Sequence, residues 1–154
     1  MKLVNFKEDL WLYAIIAGIL GIITIFTPAV GITEGSNYVY IWIWNLYATN
    51  DIIDFVQTDE ALYNIGVATT IIISIGTVIL LLTGLLEKLK NKKLDVFKII
   101  GGLLLLIGPI VYMAGITTEE ETFWEYYNVN VASILPFFAG GIAILAGIMG
   151  LLRK

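Results

Sequence analysis

Four apolar stretches set the pattern of this chain: Leu10–Ala29, Ile65–Leu86, Phe97–Ile116 and Val131–Leu152. Each is about 20 residues long, which at about 1.5 Å per helical residue covers the roughly 30 Å hydrocarbon layer of a bilayer. The pattern predicts four transmembrane helices over 10–29, 65–86, 97–116 and 131–152. They are joined by outer loops 30–64 and 117–130 and a cytoplasmic turn 87–96, all within a single membrane domain, 1–154. Pro28 and Gly31 mark the stop of the first helix.

In the first outer loop the period changes from helical to two. Tyr38, Tyr40, Trp42 and Trp44 alternate strictly with Val39, Ile41 and Ile43, the signature of a strand rich in aromatic and β-branched residues. Both of its sides are apolar, so it must pair with another strand and cover itself. Gly35-Ser36-Asn37 and Ala48-Thr49-Asn50-Asp51 read as flanking turns. Asn50 is expected to cap a short helix over Asp51–Gln57. Thr58 is expected to cap helix two, with Asp59 and Glu60 in its first turn. In the second outer loop Thr117 with Glu120, or Thr118 with Glu121, matches a capping box. Asn128–Val131 alternates like a short strand and is the expected partner for the first loop. The expected fold class is an all-α transmembrane four-helix bundle with a small extracellular β-sheet and aromatic cap built from the two outer loops.

Charge then sets the orientation. With the amino terminus in the cytoplasm, all nine bases (Lys2, Lys7, Lys88, Lys90, Lys92, Lys93, Lys98, Arg153 and Lys154) fall inside or at the inner boundary. Four acids, Glu8, Asp9, Glu87 and Asp95, share that side. Nine acids (Glu34, Asp51, Asp54, Asp59, Glu60, Glu119, Glu120, Glu121 and Glu125) fall outside with no base among them. Such a bias over short loops places both termini in the cytoplasm of a multi-pass plasma-membrane protein. The net charge of −4 is the sum of two unlike rims. The basic turn Lys88–Lys93 is explained by orientation and by anionic lipid heads, and nucleic acid is not an expected partner. The first apolar stretch is longer than a secretory core and follows Glu8 and Asp9, so it reads as a retained helix.

Small residues recur along every helix: Ala14 with Gly18 and Ala17 with Gly21 in the first, Gly76 in the second, Gly101, Gly108 and Gly115 in the third, Ala139, Ala143 and Gly147 in the fourth. Such seams let helices approach closely in lipid, and they read as packing within the molecule rather than as a dimer seam. Thr70, Thr77 and Gly84, and Thr69, Gly76 and Thr83, form a stripe on helix two. Its hydroxyls are expected to bond to carbonyls one turn back. Pro109 is expected to bend helix three.

Composition removes most chemistry. There is no histidine and no cysteine, hence no imidazole base, no thiol nucleophile and no disulfide. No ionisable residue lies in the middle of a span, which argues against a pump or proton-coupled carrier. No phosphate-binding loop is present and the acids match no calcium loop, so a loose association of calcium with the outer carboxylates is the most they predict. The sequence therefore assigns no catalytic, cofactor-binding or metal residue, and the expected protein is not an enzyme. The candidate contact residues are Tyr38, Tyr40, Trp42, Trp44, Tyr47, Trp124, Tyr126 and Tyr127, because aromatic side chains dominate interface energies. Part of that set is needed as the sheet's own core. The expected partner is a second copy or another membrane protein. The alternative is a small channel or transporter using the bent third helix and the threonine stripe.

Trp42 or Trp44 followed by Asn45-Leu46-Tyr47 resembles the W…GLW element in the first loop of claudins and the peripheral myelin protein 22 group. The order of a long loop and then a short one is also similar. Asparagine stands where that element has glycine, tyrosine stands where it has its last tryptophan, the interval is shorter, and both cysteines that follow it in the family are missing. The resemblance implies four spans, an outer sheet built from both loops, and an adhesive or barrier-forming role in which outer sheets pack side by side.

Overall fold

A computed structural model of the chain describes residues 9–55, 60–90 and 92–153. The elements run α1 (Leu10–Phe26), β1 (Pro28–Glu34), β2 (Asn37–Trp42), β3 (Leu46–Thr49), β4 (Ile53–Phe55), α2 (Glu60–Lys90), α3 (Asp95–Glu119), α4 (Phe123–Tyr126), β5 (Asn128–Val129) and α5 (Val131–Leu151). The expected cap at Thr58 and its neighbour Asp59 lie outside the described residues.

Helices α2, α3 and α5, of 31, 25 and 21 residues, are each long and apolar enough to cross a membrane. The first helix stops just before the Pro28 stop signal, at Phe26, and so falls short of the apolar stretch that runs on to Ala29. It has 17 residues, about 26 Å, because Thr27 turns to an extended conformation and Pro28 and Ala29 enter β1. Each of α1 and α3 packs against both α2 and α5. The packing faces are made of small residues: Ala14, Ala17, Gly18 and Gly21 on α1, and Ala139, Ala143 and Gly147 on α5, are all buried. A Cβ on Gly102 would come within 2.8 Å of the carbonyl oxygen of Gly140, and one on Gly76 within 2.9 Å of that of Gly101. At those crossings backbone meets backbone. The large apolar side chains point the other way, among them Ile19, Ile71, Ile110 and Leu145, all exposed. A helix face that is small inside and bulky outside is matched to lipid, where burying apolar surface between helices gains little, and not to water.

The threonine stripe lies on the buried face of α2, but only part of it bonds as expected. Thr70 donates to the Gly66 carbonyl at 2.9 Å. The hydroxyls of Thr69 and Thr77 are buried without a hydrogen-bond partner. That of Thr77 fills the space against Gly21 of α1, so packing holds it away from its own backbone. Pro109 is buried within α3.

The loops form one five-stranded antiparallel sheet in the order β4-β3-β2-β1-β5. Strand β5 of the second loop pairs with β1 through Val30↔Val129 and Gly31↔Asn128, joining the two loops as the alternation predicts. Two local expectations fail. Residues 53–55 form β4 where a short helix over Asp51–Gln57 was expected, since an apolar run of this length satisfies either period and pairing with β3 decides. Asn50 consequently caps no helix; its side chain accepts from the Tyr38 N–H at 2.8 Å and donates to the Ser36 carbonyl at 2.7 Å, fastening the β1–β2 hairpin. The capping box fails as well. Helix α3 runs unbroken through Thr117 and Thr118, whose hydroxyls donate back to the Met113 and Ala114 carbonyls.

Lys98, one of the bases expected at the inner boundary, stands where α2 gives way to α3 and is fully buried there, with its Nζ 2.7 Å from Glu87 Oε2 and 2.8 Å from Asp95 Oδ1. Glu87 also accepts from the Leu94 N–H at 3.3 Å. The triad ties the end of α2 to the start of α3, and it survives burial because both acids lie within hydrogen-bond reach of the ammonium.

Candidate interaction surface

The register of the sheet sorts the candidate aromatics. Directly paired residues share a face, so Asn128, Gly31, Tyr40, Ala48 and Ile53 form one row across all five strands. Val129, Val30, Ile41, Tyr47 and Asp54 form the next, on the opposite face. Val30 is fully buried and Ile41 packs on the main core, so the second row looks toward the helices and takes Tyr47 with it. The first row looks away. Tyr38 lies two residues from Tyr40 on that far face and stacks on it with ring centroids 5.4 Å apart. The Tyr40 ring lies over Gly31, where a Cβ would come within 2.5 Å of it.

The two tryptophans leave this face. Strand β2 ends at Trp42, and the chain turns through Ile43 and Trp44. The indole N–H of Trp42 donates to the Phe26 carbonyl at 3.0 Å and that of Trp44 to the Ile25 carbonyl at 2.7 Å. Both carbonyls belong to the last turn of α1, which has no intrahelical donor for them. Sequence alternation assigns these side chains to the contact face; the structure uses them as a C-terminal cap. In the second loop Trp124 donates to Thr117 Oγ1 at 2.8 Å and meets Phe123 edge-on, and Tyr127 stacks on Phe123 at 4.6 Å. Both pack against the core. Of the eight candidates, Tyr38 and Tyr126, 36% and 63% exposed, remain open, with Tyr40 half-buried beside Tyr38.

Two features escaped the sequence reading. Ile53 on the edge strand β4 is 73% exposed and shares the Tyr40 row, with Ile52 exposed next to it. Their apolar character is visible in the sequence but was absorbed by the helix expected there. Asn45 is buried at φ 68°. Its side-chain N–H donates to the Tyr63 carbonyl at 2.9 Å, its amide rests against Gly66 of α2, and its own N–H donates to the Trp42 carbonyl at 2.9 Å. An asparagine in a turn between apolar strands is the signal for a left-handed residue.

The sheet end carries Glu34, Asp51, Asp54, Glu60, Glu119, Glu120, Glu121 and Glu125, and no base among the described residues. No three carboxylates among the described residues gather into a metal site. The packing residues assigned from sequence, Ala14, Gly18, Gly21, Gly76, Gly101, Gly108, Ala139, Ala143 and Gly147, are all buried among the helices. No family model and no curated protein matches this chain.

Proposed function

We propose that the chain is a non-enzymatic four-span plasma-membrane protein with both termini cytoplasmic, a four-helix bundle capped outside by the sheet, acting through contacts of that cap with copies of itself or with a larger membrane assembly. The observation that carries this reading is the far face and edge of the sheet at the acidic end, where Tyr38 and Ile53 are left open and Tyr40 is half-buried between them. An exposed apolar edge strand is a template for association unless it is covered. Helix α1, uncharged and flanked by α2 and α5, serves as the fourth span; its shortfall of about 4 Å is within what a bilayer absorbs by thinning. The claudin-like reading gains a physical argument at Asn45. Glycine and asparagine are the residues that adopt its backbone conformation at least cost, so asparagine is a workable substitute at the glycine of the W…GLW element.

Side-by-side association in one membrane through the open β4 edge is the arrangement proposed, and because Asp51 and Asp54 lie beside that edge, added salt should strengthen it. The test is the double variant Tyr38→Ser/Ile53→Ser, both at open positions, sized by light scattering in mild detergent beside the parent. A folded but smaller particle supports the proposal, and an unchanged mass overturns it. Because the chain has no cysteine, single cysteines at Lys92 and Glu120 give the orientation by labelling intact cells with an impermeant maleimide. Labelling at 120 alone is expected.

A second reading, a small channel or transporter, is favoured by one observation: Thr69 and Thr77 bring two buried hydroxyls without hydrogen-bond partners onto the inner face of α2. Solute flux into proteoliposomes above the protein-free background would support it, and flux at background overturns it.

A further inference from the structure

Strand β4 ends the sheet order, and among the described residues no strand pairs with its outer side. The phase of its hydrogen bonds follows from the turn before it. The Thr49 N–H donates to the Ile52 carbonyl at 2.8 Å, which makes Thr49 and Ile52 a hydrogen-bonded pair. Such pairs alternate with non-bonded ones along an antiparallel ladder. Ala48↔Ile53 is therefore non-bonded and Tyr47↔Asp54 bonded. The backbone of Asp54 thus faces in toward β3, while the N–H and C=O of Ile53 face out from the sheet. Ile53 presents a donor and an acceptor together on the open edge, beside an exposed side chain.

A second copy satisfies that edge with the same residue. In antiparallel pairing about a two-fold axis at Ile53, each Ile53 N–H donates to the other's carbonyl, and the two side chains lie opposite each other on the far face. The acids select this register. An axis at Asp54 would set two carboxylates directly opposite each other, which is destabilising. An axis at Ile53 sets Asp54 opposite Ile52 and no acid opposite an acid. The membrane adds a condition that the same axis meets. A two-fold that continues an antiparallel sheet stands perpendicular to it, so both far faces look one way and both bundles lie beneath, as two copies in one bilayer require. Copies in one bilayer already share a plane and an orientation, which removes part of the freedom that association costs.

We propose that the chain forms a two-fold dimer in which β4 pairs antiparallel with β4 of a second copy, centred on Ile53, so that two five-stranded sheets join into one. This rests on the contact function proposed for the cap, and it names the partner and the register.

The experiment exploits the lack of cysteine in the chain. Ile52→Cys, Ile53→Cys and Asp54→Cys, all at exposed positions, are made singly, oxidised with copper phenanthroline in native membranes, and read as dimer on non-reducing gels. Ile53→Cys sets two Cα atoms about 5.5 Å apart, within disulfide reach. It should cross-link about tenfold faster than the other two, neither of which faces itself. Ile52→Cys coexpressed with Asp54→Cys should cross-link as a mixed pair. Equal rates at the three positions, or a maximum at Asp54→Cys, overturns the register. Ile53→Pro deletes the outward N–H and spares the ladder to β3, whereas Ile53→Ala keeps that N–H. By light scattering in mild detergent the proline variant is expected to be monomeric and the alanine variant still partly dimeric. A proline variant with the parent's mass, or an alanine variant as small as the proline one, overturns backbone pairing at this edge. A parent that is monomeric by mass fails the contact function itself. A multimeric parent without the Ile53→Cys cross-link fails this inference alone and leaves another protein's strand, or another surface of the chain, as the contact.

Discussion

The indole N–H of Trp44 donates to the carbonyl of Ile25 at 2.7 Å, so a side chain from the turn after β2 closes the last turn of α1. Trp42 does the same for Phe26 at 3.0 Å. Helix α1 has no basic residue in its last turn and no glycine immediately after it, and the chain leaves directly into β1. Side-chain donors from elsewhere are therefore needed to satisfy its terminal carbonyls. Trp44→Phe keeps most of the ring and removes the donor; it should cost about 1 kcal/mol. Trp44→Ala also gives up the partly buried ring and should cost about 2 kcal/mol or more. Thermal unfolding in detergent, followed by near-ultraviolet circular dichroism, reads both. Equal losses for the two variants would show that the donor alone matters, and an unchanged Trp44→Phe would show that only the ring does.

Asn45 offers a second test. Its φ of 68° and its bond to the Tyr63 carbonyl act on different substitutions. Asn45→Gly keeps the backbone conformation and loses the bond, for about 1 kcal/mol. Asn45→Val loses the bond and forces a β-branched residue into the left-handed region, for about 3 kcal/mol in all. The order parent, glycine, valine in midpoint of unfolding is the expected result. Valine matching glycine would mean that the turn relaxes.

The Lys98 triad gives the largest expected effect. Lys98→Met strands two carboxylates against a buried site and should destabilise by about 3–5 kcal/mol. Combining it with Glu87→Gln and Asp95→Asn removes the stranded charges and should recover more than half of that loss. A triple variant no more stable than Lys98→Met would show that the stranded carboxylates are not the source of the loss.

The apolar stretches were legible because nothing but a helix satisfies its own backbone over 20 apolar residues. Strand β2 was legible from its alternation, and β5 from the short polar and apolar alternation at Asn128–Val129. What sequence could not supply was the partner of each local pattern. Residues 52–56 hold apolar side chains at spacings that suit a helix or a strand, and only pairing with β3 chooses. The Thr117 and Thr118 patterns are those of a helix start, yet they sit where a helix already under way has no reason to stop. Lys98 resembles every other base near a helix end until Glu87, eleven positions earlier, folds back beside it. The contact surface was half legible: the tyrosines were visible as one face, but the tryptophans beside them belong to α1, and Ile53 was hidden inside the wrong element.

The carbonyl of Ala29, at the bulge in β1, accepts from both the Asn130 N–H at 2.7 Å and the Ser133 hydroxyl at 2.8 Å. With the indoles on α1 and Asn45 on α2, the sheet is bolted to three helices at separate points. Mechanically this makes the sheet a rigid lever and not a hinged flap. A tug passed through β1 or the turn after β2 arrives as shear shared among α1, α2 and α5.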